Sequence, residues 1–209
     1  MFISFEGLDS SGKTTQAHLL VDNFKKSGKE VIFLREPGGT EVSEHIRSLL
    51  LDKRNSDLSE RAELLLFSAA RAQLVTQVIA PALKAGKVVV CDRFFDSTTA
   101  YQGYGRGLDI GEVKALNRIA VAGTVPDLTL FVDVDLEEIR RRRKAAGVVA
   151  DRMESSGNAF YQNVLQGYLA IAKAEPNRVR RVDGSRSVEA IHAEVWNIVR
   201  STFSEMGKT

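Results

Sequence analysis

Five short apolar runs punctuate the chain, at residues 2–5, 31–34, 88–91, 128–134 and, with more polar positions, 179–182. Runs of this length, nearly continuous in Val, Ile, Leu and Phe, predict strands of a parallel sheet covered on both faces. Between them, apolar positions at helical spacing predict helices over 12–27, 41–51, 59–85, 110–122, 136–146, 155–174 and 188–203. In the third of these, Leu65, Leu66, Ala69, Ala72 and Val75 recur near a period of 3.6. Strand and helix alternate, so the expectation is one open α/β sheet with right-handed crossovers. Residues 36–40, 53–57, 103–107 and 147–157 read as irregular. No linker, repeat or low-complexity tract divides the chain, which predicts a single domain over 1–209.

Composition narrows the class further. The 209 residues are 44% hydrophobic and 27% charged, with a formal net charge of +2. That balance argues against a dedicated nucleic-acid binder. The single Cys91 and three His provide no disulfide and no metal-ligand spacing. The first residues lack a basic segment and signal-peptide core, and no apolar run approaches the ~20 residues needed to span a bilayer. The expectation is a cytoplasmic chain with no membrane partner.

The sharpest chemical signal is Gly7-Leu8-Asp9-Ser10-Ser11-Gly12-Lys13-Thr14, an ungapped match to G-x-x-x-x-G-K-[ST]. It lies between a predicted strand and a predicted helix. There the glycines permit a tight turn, and successive backbone N–H groups converge on phosphate oxygens at the positive end of the helix. Gly7, Ser10, Ser11, Gly12, Lys13, Thr14 and Thr15 are therefore candidates for holding the phosphates of ATP. Lys13 should reach the β- and γ-phosphates and Thr14 should ligate Mg²⁺. A nucleotide switch would use the same cradle, but the chain lacks the Asn-Lys-x-Asp sequence that reads guanine, which favours a metabolic phosphotransferase. Asp92-Arg93 end the third strand beside this site. Asp92 is a candidate for holding Mg²⁺ through water and Arg93 for bridging donor and acceptor phosphates; a structural ion pair at a strand end is the alternative reading.

Further motifs join these: Phe5-Glu6-Gly7, Arg35-Glu36-Pro37-Gly38-Gly39-Thr40, Phe67-Ser68-Ala69-Ala70-Arg71, Asp92-Arg93-Phe94-Phe95-Asp96-Ser97 with Ala100-Tyr101-Gln102-Gly103, Pro126-Asp127-Leu128-Thr129, Asp151-Arg152-Met153-Glu154 and Asp183-Gly184-Ser185. Together they resemble the thymidylate kinase family, from Met1 to about Arg200. The resemblance implies a P-loop NTPase fold, a five-stranded parallel sheet of order 2-3-1-4-5, a homodimer, and transfer of a phosphoryl group from ATP to dTMP with Mg²⁺. Another nucleoside or nucleotide kinase is the nearest alternative, and a nucleotide-dependent regulatory protein the more distant one.

The resemblance also implies roles. Phe67 would stack on the thymine, with Arg71, one turn on, bonding the base edge alongside Thr98 and Gln102. Tyr101 would pack against the sugar and crowd out a 2′-OH. Asp9 would accept from the 3′-OH or order a magnesium water, Arg47 and Arg93 would hold the acceptor phosphate, and Glu36 would approach the reaction centre. The family divides by where it keeps an extra positive charge. Leu8, Asp9, Ser10 and Ser11 carry none, so the chain resembles the type whose arginines sit on a mobile lid, here at about 142–157, with Arg142 and Arg152 as the active positions. The run Arg140 to Lys144 reads otherwise as a solvated helix end. Phe94 stands where a Tyr or His is usual. The resemblance also implies a cis Glu36–Pro37 bond.

Overall fold

The computed structural model of the chain describes residues 1–147, 152 and 157–206. Five strands, β1 (Phe2–Glu6), β2 (Val31–Arg35), β3 (Val88–Asp92), β4 (Leu128–Asp133) and β5 (Val179–Asp183), form one sheet. Every pairing is parallel and the order is β2-β3-β1-β4-β5, as expected. Four of the five strands run one polar residue beyond the apolar run, to Glu6, Arg35, Asp92 and Asp183. Ladder pairing carries these past the hydrophobic signal, as in Arg35 opposite Asp92 and Asp133 opposite Asp183.

The pleat divides the core. Ile3, Val88 and Val90 join one cluster with Leu20 and Phe24 of α1 (Lys13–Lys26) and Val195 of α9 (Val188–Met206). Their neighbours Phe2, Val89 and Cys91 face a second cluster with Leu74, Val75 and Ile79. Alternate residues on opposite faces, all buried, are what a doubly covered sheet requires.

Caps set the helix starts. Thr40, Ser59, Asp109 and Asp135 each accept a backbone N–H in the first turn of α2 (Glu41–Leu51), α3 (Glu60–Leu74), α6 (Ile110–Val121) and α7 (Leu136–Ala146), a contact worth about 1 kcal/mol. By contrast α1 follows Gly12, with no side-chain cap. Its first amides are thus left for a ligand.

The helix expected over 59–85 is continuous but passes through a π segment, Val75–Ile79, between α3 and α4 (Ala80–Lys84). Pro81 opens α4 and has no N–H to return to the preceding turn, which loosens the ladder there. These 25 residues, Glu60–Lys84, match a membrane span in length and composition, against the expectation that no such run exists. They pack instead against α2 and α6 and carry Phe67 and Arg71. The stretch expected to be irregular at 103–107 is helical to Gly105: α5 (Phe95–Thr98) leads into a π segment, Thr99–Gly105. A Cβ at Gly105 would meet Phe160 at 2.6 Å, so glycine there permits close packing by α8 (Asn158–Ala174). Residues 155–156, expected in that helix, lie outside the described residues.

Candidate active site

The carboxyl ends of β1, β2 and β3 open together, and three loops converge there. The first is the turn from Gly7 to Gly12. Gly7 has φ +140°, and a Cβ on it would meet the Val132 carbonyl oxygen at 2.5 Å. No other residue fits that position. Ser10 (φ 65°) and Gly12 (φ 95°) are also left-handed, curling the loop so that Lys13 begins α1. Lys13 is buried, with Nζ 3.3 Å from the Leu8 carbonyl oxygen and 3.5 Å from Asp9 Oδ1. Burial, together with Arg93, pushes its ammonium below the ordinary value. An arriving polyphosphate would add to the negative charge of Asp9 and Asp92 and favour the ammonium form.

Arg93 is the second contribution. It follows β3 with φ 72°, a conformation that costs a non-glycine residue energy and collects at functional sites. Glu6, the last residue of β1, anchors it by accepting from Phe94 N at 2.7 Å and from Ser97 Oγ at 2.5 Å. The guanidinium then donates to Asp9 Oδ1 (2.7 Å), Ser97 Oγ (3.0 Å), and the Tyr101 and Tyr168 hydroxyls (both 3.1 Å). Burial opposes ionisation of Asp9, but Arg93 and Lys13 outweigh it and hold its carboxyl well below the usual range. Glu6 is the opposite case: burial and the nearby Asp96 push its carboxyl up to about 8.

The third loop follows β2 and contains a cis Glu36–Pro37 bond, as expected. Arg47 Nη1 donates to the Pro37 carbonyl at 3.0 Å. Glu36 is buried and pairs with Arg71, Nε to Oε1, at 2.6 Å. Burial pushes its carboxyl up to about 7 against the pull of Arg71. Arg71 further donates to Asn117 Oδ1 (2.9 Å) and Thr98 Oγ1 (2.7 Å), and so ties α3 to α5 and α6.

These loops enclose a cavity of about 230 Å³. Its lining brings together Asp9, Lys13, Thr14, Glu36, Arg47, Phe67, Arg71, Asp92, Arg93, Thr98, Tyr101 and Gln102, every residue expected to hold the acceptor or the metal. Thr14 donates to Asp92 Oδ2, while the buried Asp92 Oδ1 has no partner among the described residues. A hydroxyl beside a half-engaged carboxylate fits Mg²⁺, which takes oxygen ligands and completes its shell with phosphate and water. Among the described residues no group of three or more His, Cys, Asp or Glu could hold a metal unaided.

Ser10, Ser11, Gly12 and Thr15 line a second cavity on the other flank of the loop, with Arg142, Gly184 and Arg186. Arg142 donates to the Ser11 carbonyl at 3.1 Å and the Gly184 carbonyl at 2.7 Å, and is steered by Glu138 at 2.7 Å. Arg152 lies elsewhere: it donates to Glu63 Oε2 at 2.6 Å and to the Leu50 carbonyl. Of the two arginines expected over the phosphates, Arg142 is the one that reaches the phosphate loop. Within the expected lid at 142–157, residues 148–151 and 153–156 lie outside the described residues.

Sequence reading gave no role to Glu63, Asn117 or Tyr168, nor to Glu6 and Ser97, which it met only as motif members. Glu63 had a findable signal, since it precedes Phe67 and Arg71 at intervals of four on one face of α3. Tyr168 had none, because only the fold brings α8 to Arg93.

The thymidylate kinase family model matches residues 5–195 of the chain. The thymidylate kinase of Pelotomaculum thermopropionicum is 52% identical over 194 residues, covering 93% of this chain and 90% of that one. That of Chlorobium luteolum is 48% identical over 213 aligned positions, covering 98% and 99%. The crystal structure of thymidylate kinase from Ehrlichia chaffeensis superposes with a TM-score of 0.78 at 37% identity, covering 96% of this chain and 98% of that one.

Proposed function

Because the chain belongs to the thymidylate kinase family, it phosphorylates dTMP to dTDP with ATP as donor, and we propose that it does so by direct in-line transfer across Arg93. The observation that carries this is the shared cavity, whose lining brings Lys13 and Thr14 together with Arg93, Phe67 and Arg71. The acceptor phosphate is already an anionic nucleophile at neutral pH. Positioning and charge neutralisation therefore do most of the work, and no covalent intermediate is needed.

On the donor side, Lys13 and the uncapped amides of α1 hold the β- and γ-phosphates, with Gly7, Ser10, Ser11, Gly12 and Thr15 shaping the cradle. On the acceptor side, Phe67 stacks on the base, and Arg71, Thr98 and Gln102 meet its edge. Tyr101 excludes a 2′-OH, Asp9 takes the 3′-OH or an ordered water, and Arg47 and Arg93 hold the phosphate near Glu36. Thr14 and Asp92 would hold Mg²⁺, which would neutralise phosphate charge. Arg142 adds positive charge to the phosphoryl group in flight; Arg152, on the proposed lid at about 142–157, is paired with Glu63 here and would join Arg142 only by leaving that partner.

The single domain is proposed to act as a homodimer in the cytoplasm, without nucleic acid or membrane. Exposed Val42 and Leu49 on α2, Leu65 on α3 and Ile119 on α6 support a second copy as the partner of this face. The buried thiol of Cys91 suits a reducing compartment.

A coupled assay of ADP release tests the acceptor. The rate should rise on adding dTMP, with dTMP ahead of dUMP by about 10- to 200-fold for one methyl group, and both far ahead of UMP. UMP or AMP as the best acceptor would overturn the pocket assignment, and turnover indifferent to any acceptor would overturn the transferase itself.

A further inference from the structure

Glu63 contacts Gln102, a lining residue of the proposed acceptor cavity, and is almost fully buried, with 1% of its side chain exposed. Three side chains hold it. Arg106 approaches as a fork, Nε to Oε1 at 3.2 Å and Nη2 to Oε2 at 3.3 Å. Arg152 adds the contact to Oε2 at 2.6 Å. Gln102 supplies the third, its Nε2 lying 2.9 Å from Oε1. Both carboxyl oxygens face guanidinium donors, and a carboxylate in such a pair only accepts hydrogen bonds. It therefore dictates which end of the Gln102 amide faces it. The nitrogen must turn towards Glu63, which leaves the carbonyl oxygen as the end presented to the cavity that Gln102 lines.

We propose that Glu63 is a specificity-positioning residue: by fixing the Gln102 amide, it requires the base edge in the cavity to present an N–H. Thymine and uracil present one at N3. Cytosine presents a bare acceptor there, which would face the Gln102 oxygen with no proton between them. Turning the amide over to suit cytosine would set its oxygen against the Glu63 carboxylate and leave that buried charge one donor short. The discrimination thus resides in a residue that never touches the substrate. This inference rests on the assignment of the cavity to the acceptor base.

The test is a specificity ratio, kcat/KM for dTMP over kcat/KM for dCMP, measured for the natural protein, Glu63→Gln, Gln102→Ala and the double variant. A carboxamide at 63 can donate as well as accept, so it frees the Gln102 amide to turn. The ratio should then fall by about tenfold or more. Gln102→Ala should lower it similarly, and the double variant no further, because both act through one amide. Glu63→Asp, which keeps the charge but withdraws it by one methylene, should shift the ratio the same way, and it decides the matter should Glu63→Gln not fold. Loss of activity towards both acceptors in parallel, with the ratio unchanged, overturns the proposal, as do additive effects in the double variant. Failure of the natural protein to use dTMP would instead overturn the cavity assignment.

Discussion

Replacing Glu6 with Gln should abolish a specific pH dependence of stability. Glu6 is fully buried at the end of β1, its carboxyl raised from 4.5 to about 8. Burial is the largest cause and the charge on Asp96 adds to it; the hydrogen bond from Ser97, the positive charge of Arg93 and the Phe94 amide oppose it without prevailing. In the unfolded chain the same carboxyl titrates near its ordinary value. Between roughly pH 5 and 7.5 the folded protein therefore holds a proton that the unfolded chain has released, and stability falls as pH rises. The slope is about 1.4 kcal/mol per pH unit for one proton. Across the whole shift, about 3.5 units, the ceiling is roughly 5 kcal/mol. Gln keeps the shape and an acceptor for the Phe94 N–H but cannot ionise. Urea denaturation of both proteins at several pH values measures the effect, since titrating groups that do not interact with Glu6 cancel in the difference. The Gln variant should gain on the natural protein by about 1.4 kcal/mol per unit up to about pH 7.5, then level off above pH 8. Parallel stability curves would refute the reasoning. They would mean that Arg93 and the three donors around Glu6 keep it ionised throughout, and that burial is the weaker influence.

Three other substitutions probe the donor end. Arg142→Ala should lower kcat by ~10² or more, because an arginine that neutralises charge in flight is worth ~10³–10⁵, while the KM for dTMP changes little; Arg152→Ala tests the second lid position in the same kinetic assay. If both variants kept near-normal kcat, the basic run at the end of α7 would revert to a solvated helix terminus. Asp92→Asn should raise the Mg²⁺ concentration needed for half-maximal rate, read from a titration at fixed ATP, and an unshifted titration would remove Asp92 from the metal site.

Strand positions were legible because burial on both faces leaves nearly pure apolar runs, as in Val88 to Val90. Their last residues were not. Glu6 and Asp92 are polar, yet each stays in the ladder because pairing with a neighbouring strand, rather than hydropathy, carries it there. The stretch 103–107 was misread as irregular for a related reason, being helical to Gly105. Gly103 and Gly105 signal a loop by composition, whereas here they permit close helix packing: a Cβ on either would meet Ile110 or Phe160 at 2.6 Å. The tight turn of the phosphate loop could be read from Gly7, Gly12 and Lys13 at fixed spacing, although the left-handed Ser10 within it could not. The residues that hold Arg93 in place could not. Glu6, Ser97 and Tyr168 lie up to 162 positions apart in sequence, and no local pattern records their meeting.

The proposed donor and acceptor halves of the site hang from adjacent strands. β1 runs into the phosphate loop, β3 ends in Asp92 with Arg93 directly after it, and Phe5 lies opposite Asp92 in the ladder between them. That pairing acts as a ruler with coarse graduations. A slip of one residue would move the strands ~3.3 Å and turn every side chain to the wrong face; the smallest slip that keeps the faces is two residues, ~6.6 Å. In-line transfer tolerates neither, since reacting atoms must come within ~3–3.5 Å of each other. The gap between the two substrates is thus quantised by backbone pairing. A descendant of this protein can change what it phosphorylates by altering side chains on α3 and α5, but the sheet fixes how far the phosphoryl group travels.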